Sequence, residues 1–172
     1  NFDSLVALAW LANFKEEKHR YLAAHILDRL TYRTEKMTES AYRRFLSSEF
    51  RSYVEDIQGK SGENVEGWLN GLKSPGCAWT KDIKICSVSV AGEHGESGSQ
   101  IIRMLTGELF SQSHIFPIDT TSLSSLKGKI ILIVDDFVGS GLQFDKFSIK
   151  TNLREAAKNN HIIYAPAMSY YI

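Results

Sequence analysis

Apolar side chains recur every three to four positions through the first third of this chain: Leu5, Leu8, Ala9, Leu11 and Ala12, then Tyr21, Leu22, Ile26, Leu27 and Leu30. That spacing stacks them on one helical face and predicts two or three helices between Asp3 and Tyr53. Thr38 and Ser40 are candidate caps for a helix from Tyr42 to Tyr53, because a hydroxyl there can accept from the free N–H groups of a first turn. From Gln58 to Thr80 the texture changes: Gly59, Gly62, Gly67, Gly71, Ser74, Pro75 and Gly76 punctuate a short amphipathic piece at Trp68 to Leu72. Such punctuation predicts a connection into a second structural unit.

The period then switches to two. Ile83 to Val90 alternates as a strand does, and a Gly/Ser-rich loop from Ala91 to Ser99 leads to a helical stretch at Gln100–Phe110. A short strand at His114–Ile118, a strongly apolar one at Lys129–Asp136, a second helical stretch within Phe144–Lys158 and a last strand at His161–Met168 follow. Strands alternating with helices at this spacing predict an α/β fold, a mainly parallel sheet flanked by helices and preceded by an N-terminal helical region. The expected organisation is a helical region and connection over residues 1–80 and an α/β core over 81–172, with no internal repeat.

Composition narrows the class. With 172 residues, 43% of them hydrophobic, the chain can bury one sizeable core. Twenty basic residues balance twenty acidic ones, so the overall charge gives no reason to expect a coat for nucleic acid or an anionic membrane. Lys15, Lys18, His19 and Arg20, and later Arg43 and Arg44, are interleaved with Glu16, Glu17, Glu35 and Glu39, which reads as ordinary mixed-charge helix surface. Direct nucleic-acid binding is therefore not expected. The run Leu5–Leu11 is far shorter than the roughly 20 residues of a membrane span, and Cys77 and Cys86 imply no disulfide framework or zinc site, so the expected location is the cytoplasm. The start at Asn1 and the stop on a strand at Ile172 read as a fragment or the ordered part of a longer chain.

The candidate chemistry lies at one strand end. Ile130 to Val134 is continuous apolar sequence, as in a strand buried on both faces, and it runs into Asp135-Asp136. Adjacent carboxylates are costly to bury, and the carboxyl edge of a parallel sheet is where ligands bind. Phe137-Val138-Gly139-Ser140-Gly141-Leu142-Gln143 follows, where two glycines around a hydroxyl let the backbone turn tightly and aim N–H groups outward, at the start of a helix. A nest of that kind suits a phosphate, and the acids suit vicinal hydroxyls or a divalent cation. Phosphate plus diol describes a ribose 5-phosphate. The competing readings of the acid pair are a solvated strand end and an aspartate that accepts a phosphoryl group.

An apolar strand, two acids, three residues, Ser or Thr, then Gly resembles the signature of type I phosphoribosyltransferases, which bind phosphoribosyl pyrophosphate. The resemblance covers Ile83 to Ile172. It implies that Asp135 and Asp136 contact the ribose hydroxyls directly or through Mg²⁺, as the catalytic and metal-holding pair, and that Val138, Gly139, Ser140, Gly141, Leu142 and Gln143 surround the 5-phosphate. It also implies that Ser97, Gly98 and Ser99, at the end of the first loop, hold the departing pyrophosphate, with His94 in the same loop. Ser140 stands where Thr is commoner and Gln143 where a second Thr is usual.

The long lid expected between the second and third strands is replaced by a short connection at Asp119–Gly128, and no base-selecting hood follows the last strand. These departures set a non-catalytic sensor or effector, acting through a protein partner on the helical region, against a Mg²⁺-dependent transferase. A helical region ahead of such a core also resembles the divergent versions found beside bacterial anti-phage and other conflict genes.

Overall fold

The computed structural model describes residues 4–29, 34–59, 64–88, 97–118 and 123–169. His94 and most of its loop, and Tyr170-Tyr171, lie outside the described residues. The chain divides into two compact units, residues 1–34 and 35–172. In the first, α1 (Ser4–Leu11) and α2 (Glu17–Arg29) form a helical pair. The Arg20 guanidinium donates twice to Phe14 O, at 3.2 and 3.1 Å, fixing the turn between them, and Trp10 meets Phe14 edge-on at 4.9 Å.

The second unit begins with α3 (Glu35–Ser47), α4 (Glu49–Gln58) and α5 (Val65–Lys73). Four helices thus begin before Tyr53 among the described residues, where the periodicity predicted two or three. The expected caps are not used: α3 starts at Glu35, so Thr38 is buried inside it and Ser40 lies along it. Glu35 in the first turn instead meets the positive helix end. α4 stops at Gly59, whose left-handed φ of 61° turns its N–H onto Glu55 O. α5 starts at Asn64, whose side chain accepts from Gly67 N at 2.7 Å.

The sheet is parallel, with β1 (Ile83–Ser87), β2 (Ile130–Asp135) and β3 (His161–Pro166) in that order among the described residues. The fold is α/β with N-terminal helices, as the pattern predicts. β2 is central and every one of its residues is buried, which accounts for its unbroken apolar sequence. Its alternate side chains serve two cores. Ile130, Leu132 and Val134 join Ile83 and Ile85 of β1 with Tyr42, Leu46, Phe50, Val54, Trp68 and Leu72 of α3–α5, and with Ile101 and Leu105 of α6 (Ser97–Leu105). Ile131 and Ile133 face Cys86, Leu123, Phe147 of α7 (Leu142–Lys150) and Leu153 and Ala156 of α8 (Leu153–Ala156). Each buried Val, Leu, Ile or Phe side chain among these contributes about 1.5–3 kcal/mol by leaving water. Trp68 adds direction, its Nε1–H donating to Leu46 O at 2.7 Å and locking α5 to the end of α3.

Two expected elements are shorter than their patterns. The strand at His114–Ile118 reduces to one bridge, Ile115 beside Ile85, with Phe116 N donating to Ile85 O at 2.9 Å. A 3₁₀ turn at Gln112–His114 occupies its start. The helix expected to reach Phe110 ends at Leu105, because Gly107 at φ 86° turns the chain so that Thr106 pairs with Phe110. At the amino edge of the sheet, Asn160 holds β2 and β3 in register, accepting from Lys129 N and donating to Leu126 O and Ala156 O. No helix among the described residues is long and apolar enough to cross a membrane.

Candidate functional site

The carboxyl edge of the sheet collects every described residue that the sequence singled out for ligand binding. Asp135 is the last residue of β2, and Asp136 follows it into the turn. β1 lies beside β2, with Ser87 opposite Val134, and the first turn of α6 packs on the end of β1. Gly98 makes that approach possible: a Cβ there would sit 2.9 Å from the Ser87 Cβ. Ser97, Gly98 and Ser99 are therefore the N-terminal turn of α6, one strand over from the acids. Free N–H groups and the helix dipole at such a turn favour an anion.

The turn after the acids is built to present a second helix end. Val138 N donates to Met168 O at 2.9 Å, carrying the β2–β3 pairing past both strands, and Val138 bridges Ser169. Gly139 lies over the Phe137 ring, where an added Cβ would approach it to 3.1 Å. Gly141, at φ 79°, adopts a left-handed conformation that a side chain would strain, and α7 starts immediately after it without a side-chain cap. Ser140 Oγ stands 3.5 Å from Leu142 N, a loose contact, and Ser140, Leu142 and Gln143 are all exposed.

The two acids occupy different environments. Asp135 is 2% exposed, and both of its carboxylate oxygens have partners. Oδ1 accepts from Asp136 N at 3.0 Å and Oδ2 from the Tyr164 hydroxyl at 2.9 Å. Burial pushes its carboxyl up to about 6; the neighbouring Asp136 carboxyl adds to this while the Tyr164 hydroxyl opposes it. The same burial, with Asp135 beside it, raises the Tyr164 phenol above its ordinary range. Asp136 is only partly buried, and its Oδ1 accepts from Phe137 N at 2.8 Å.

Two tyrosines not anticipated from the sequence complete the arrangement. Tyr164, on β3, stacks on Phe144 of α7 at 4.2 Å while its hydroxyl meets Asp135. Tyr42, on α3 and 3% exposed, sends its hydroxyl to the β2–β3 junction from the other face. There the oxygen lies 2.8 Å from Asp135 O, 2.8 Å from Ala165 O and 3.3 Å from Asp135 N. The only sequence signal for either was an aromatic at an apolar position. Beside them runs an apolar slot of about 230 Å³, lined by Ala41, Tyr42 and Phe45 of α3 and by Tyr164 to Ala167.

Among the described residues no three His, Cys, Asp or Glu side chains cluster closely enough to hold a metal by themselves. The available donor set, one engaged and one partly exposed carboxylate, fits a Mg²⁺ ion that takes most of its ligands from phosphate and water. The connection after Ile118 is anchored rather than free in its described part: Leu123 is fully buried in the second core, within a 3₁₀ turn at Leu123–Ser125.

A family model described as PRTase-CE matches residues 7–171, nearly the whole chain and both compact units. Among curated proteins and among solved structures nothing matches.

Proposed function

This chain belongs to the PRTase-CE family of phosphoribosyltransferase-like domains, and from that premise we propose that it binds phosphoribosyl pyrophosphate, or a related ribose phosphate or nucleotide, with Mg²⁺. One juxtaposition carries the reading: an acid pair at the end of a buried parallel strand, followed at once by a Gly-Ser-Gly turn into an uncapped helix, with the α6 N-terminus on the adjacent strand. In this reading Val138 to Gln143 receive the 5-phosphate, Ser97 to Ser99 the pyrophosphate, and Asp135 and Asp136 serve the ribose side. The turn N–H groups and helix ends neutralise phosphate charge without reorganising, which is how a fixed backbone stabilises a departing anion. Mg²⁺ would supply further charge neutralisation on the pyrophosphate, and the partly exposed Asp136 carboxylate would help to hold it.

If the chain transfers the group, the ribose anomeric carbon loses pyrophosphate and gains an acceptor nitrogen through an oxocarbenium-like state. The protein's share is orientation and electrostatics. A second reading keeps the ligand and drops the transfer, making the domain a sensor that signals to a protein partner, as in a bacterial defence system. The buried Leu123 favours it, since the described part of that connection is held in the core rather than poised to close over a substrate. Exposed Leu5, Val6 and Leu8 on α1 offer that partner an apolar surface.

Calorimetric titration with phosphoribosyl pyrophosphate, with and without Mg²⁺, tests the proposal. Metal-dependent binding that Asp136→Asn removes is the expected result. Absence of binding to the unaltered protein would overturn it, and pyrophosphate release on addition of a nucleobase would select transferase over sensor.

A further inference from the structure

We propose that Tyr164 and Tyr42 clamp Asp135 from opposite faces of the sheet, making Asp135 a positioning residue and leaving Asp136 as the carboxylate that meets the ligand. The inference rests on the ribose-phosphate reading above and divides a labour that the sequence assigns to both acids alike.

Three observations carry it. First, Asp135 is nearly sealed from solvent, and its two oxygens already accept from Asp136 N and from the Tyr164 hydroxyl. Each oxygen keeps a further lone pair, but with the residue only 2% exposed a ligand hydroxyl has no open approach to it. Second, the bond to Asp136 N is itself a positioning contact. It fixes the peptide from which the Asp136 side chain departs, and Asp136 Oδ1 in turn accepts from Phe137 N, at the first peptide of the phosphate turn. A chain of hydrogen bonds thus runs from Tyr164 through Asp135 and Asp136 into the turn. Third, the Tyr42 hydroxyl grips the backbone of the same residue from the α3 side, within 2.8 Å of Asp135 O and Ala165 O. Val134 and Ala165 lie in the core that Tyr42 shares, whereas Tyr164 packs against the other core, so the two rings approach from opposite sides.

Neither tyrosine is free to do otherwise. The Tyr164 ring is stacked on Phe144, and the Tyr42 ring is buried in the first core, so each hydroxyl is delivered by a fixed ring. Preorganised partners of this sort hold a ligand-contacting group within the narrow geometry that binding requires.

The test is a binding series with phosphoribosyl pyrophosphate and Mg²⁺ on the full chain: unaltered protein, Asp136→Asn, Asp135→Asn, Tyr164→Phe, Tyr42→Phe and the double variant Tyr164→Phe/Asp135→Asn. Tyr164→Phe keeps the stacked ring and removes only the hydroxyl, so its melting temperature checks that the fold is intact. The expected result is loss of binding in Asp136→Asn and roughly 5- to 30-fold weaker binding in Tyr164→Phe, Tyr42→Phe and Asp135→Asn. The double variant should bind no more weakly than Asp135→Asn, because Tyr164 acts through that carboxylate. Full affinity in a folded Tyr164→Phe, strictly additive losses in the double variant, or loss in Asp135→Asn as complete as in Asp136→Asn would each overturn the clamp. If the unaltered protein does not bind, the ribose-phosphate reading itself fails and the clamp goes with it, an outcome distinct from all three.

Discussion

At the scale of single residues, the environment of Asp135 has a measurable signature even without a ligand. Its folded carboxyl titrates near 6, raised chiefly by burial, against about 4 in an unfolded chain. The folded state therefore holds this proton more tightly than the unfolded one. The stabilising contribution is complete below about pH 4 and is lost as the pH rises through about 6. Other carboxylates titrate in the same range, so the informative quantity is a difference: between pH 4 and pH 7.5 the urea-unfolding free energy of Asp135→Asn should change less unfavourably than that of the unaltered protein, by on the order of 2 kcal/mol. Parallel curves would show that the carboxyl is not perturbed. The identity of this residue as an acid at a strand end was legible in the sequence, because five apolar residues precede it. Its partners were not. Tyr164 and Tyr42 stand 29 and 93 positions away, and their hydroxyls read as ordinary aromatic tips until the strands are paired.

Among the elements, the strands that the sequence showed best are those buried on a whole face. β2 was plain because both faces are covered and no polar residue interrupts it. The segment around Ile115 looked like a strand by composition, but the 3₁₀ turn that ends at His114 leaves it a single bridge to Ile85. The helices lost precision at their ends for a similar reason. Thr38 has the chemistry of a cap, yet the apolar face completed by Tyr42 and Leu46 extends α3 past it on the N-terminal side. The junction of α6 with β1 gives a prediction at this scale. Gly98→Ala would place a methyl 2.9 Å from the Ser87 Cβ, forcing the helix start away from the strand. A loss of about 1–3 kcal/mol in denaturant-unfolding stability is expected, with weaker anion binding at the displaced turn. Unchanged stability would mean that the helix start yields without cost.

For the whole molecule, both described apolar cores draw all their members from Tyr42 onward. Residues 35–172 expressed alone should then unfold in one cooperative transition with a melting temperature within about 5 °C of the full chain, read by circular dichroism. A broad, non-cooperative melt would show that residues 1–34 complete the structure. The α/β class was legible because the change of period from helical to alternating falls near Ile83. That α3–α5 share a core with the sheet was not, since an amphipathic face does not name the surface it will cover. The Tyr42 contacts add a constraint of a different kind, on the order in which the molecule comes together. One hydroxyl closes loops of 93 and 123 residues at once, onto Asp135 and Ala165. During synthesis α3 emerges long before either carbonyl exists, so this hydroxyl has to wait for the last strand. The acid pair is consequently set in its final geometry late in folding, and a chain interrupted before β3 carries the aspartates and the glycine turn without the lock that fixes them.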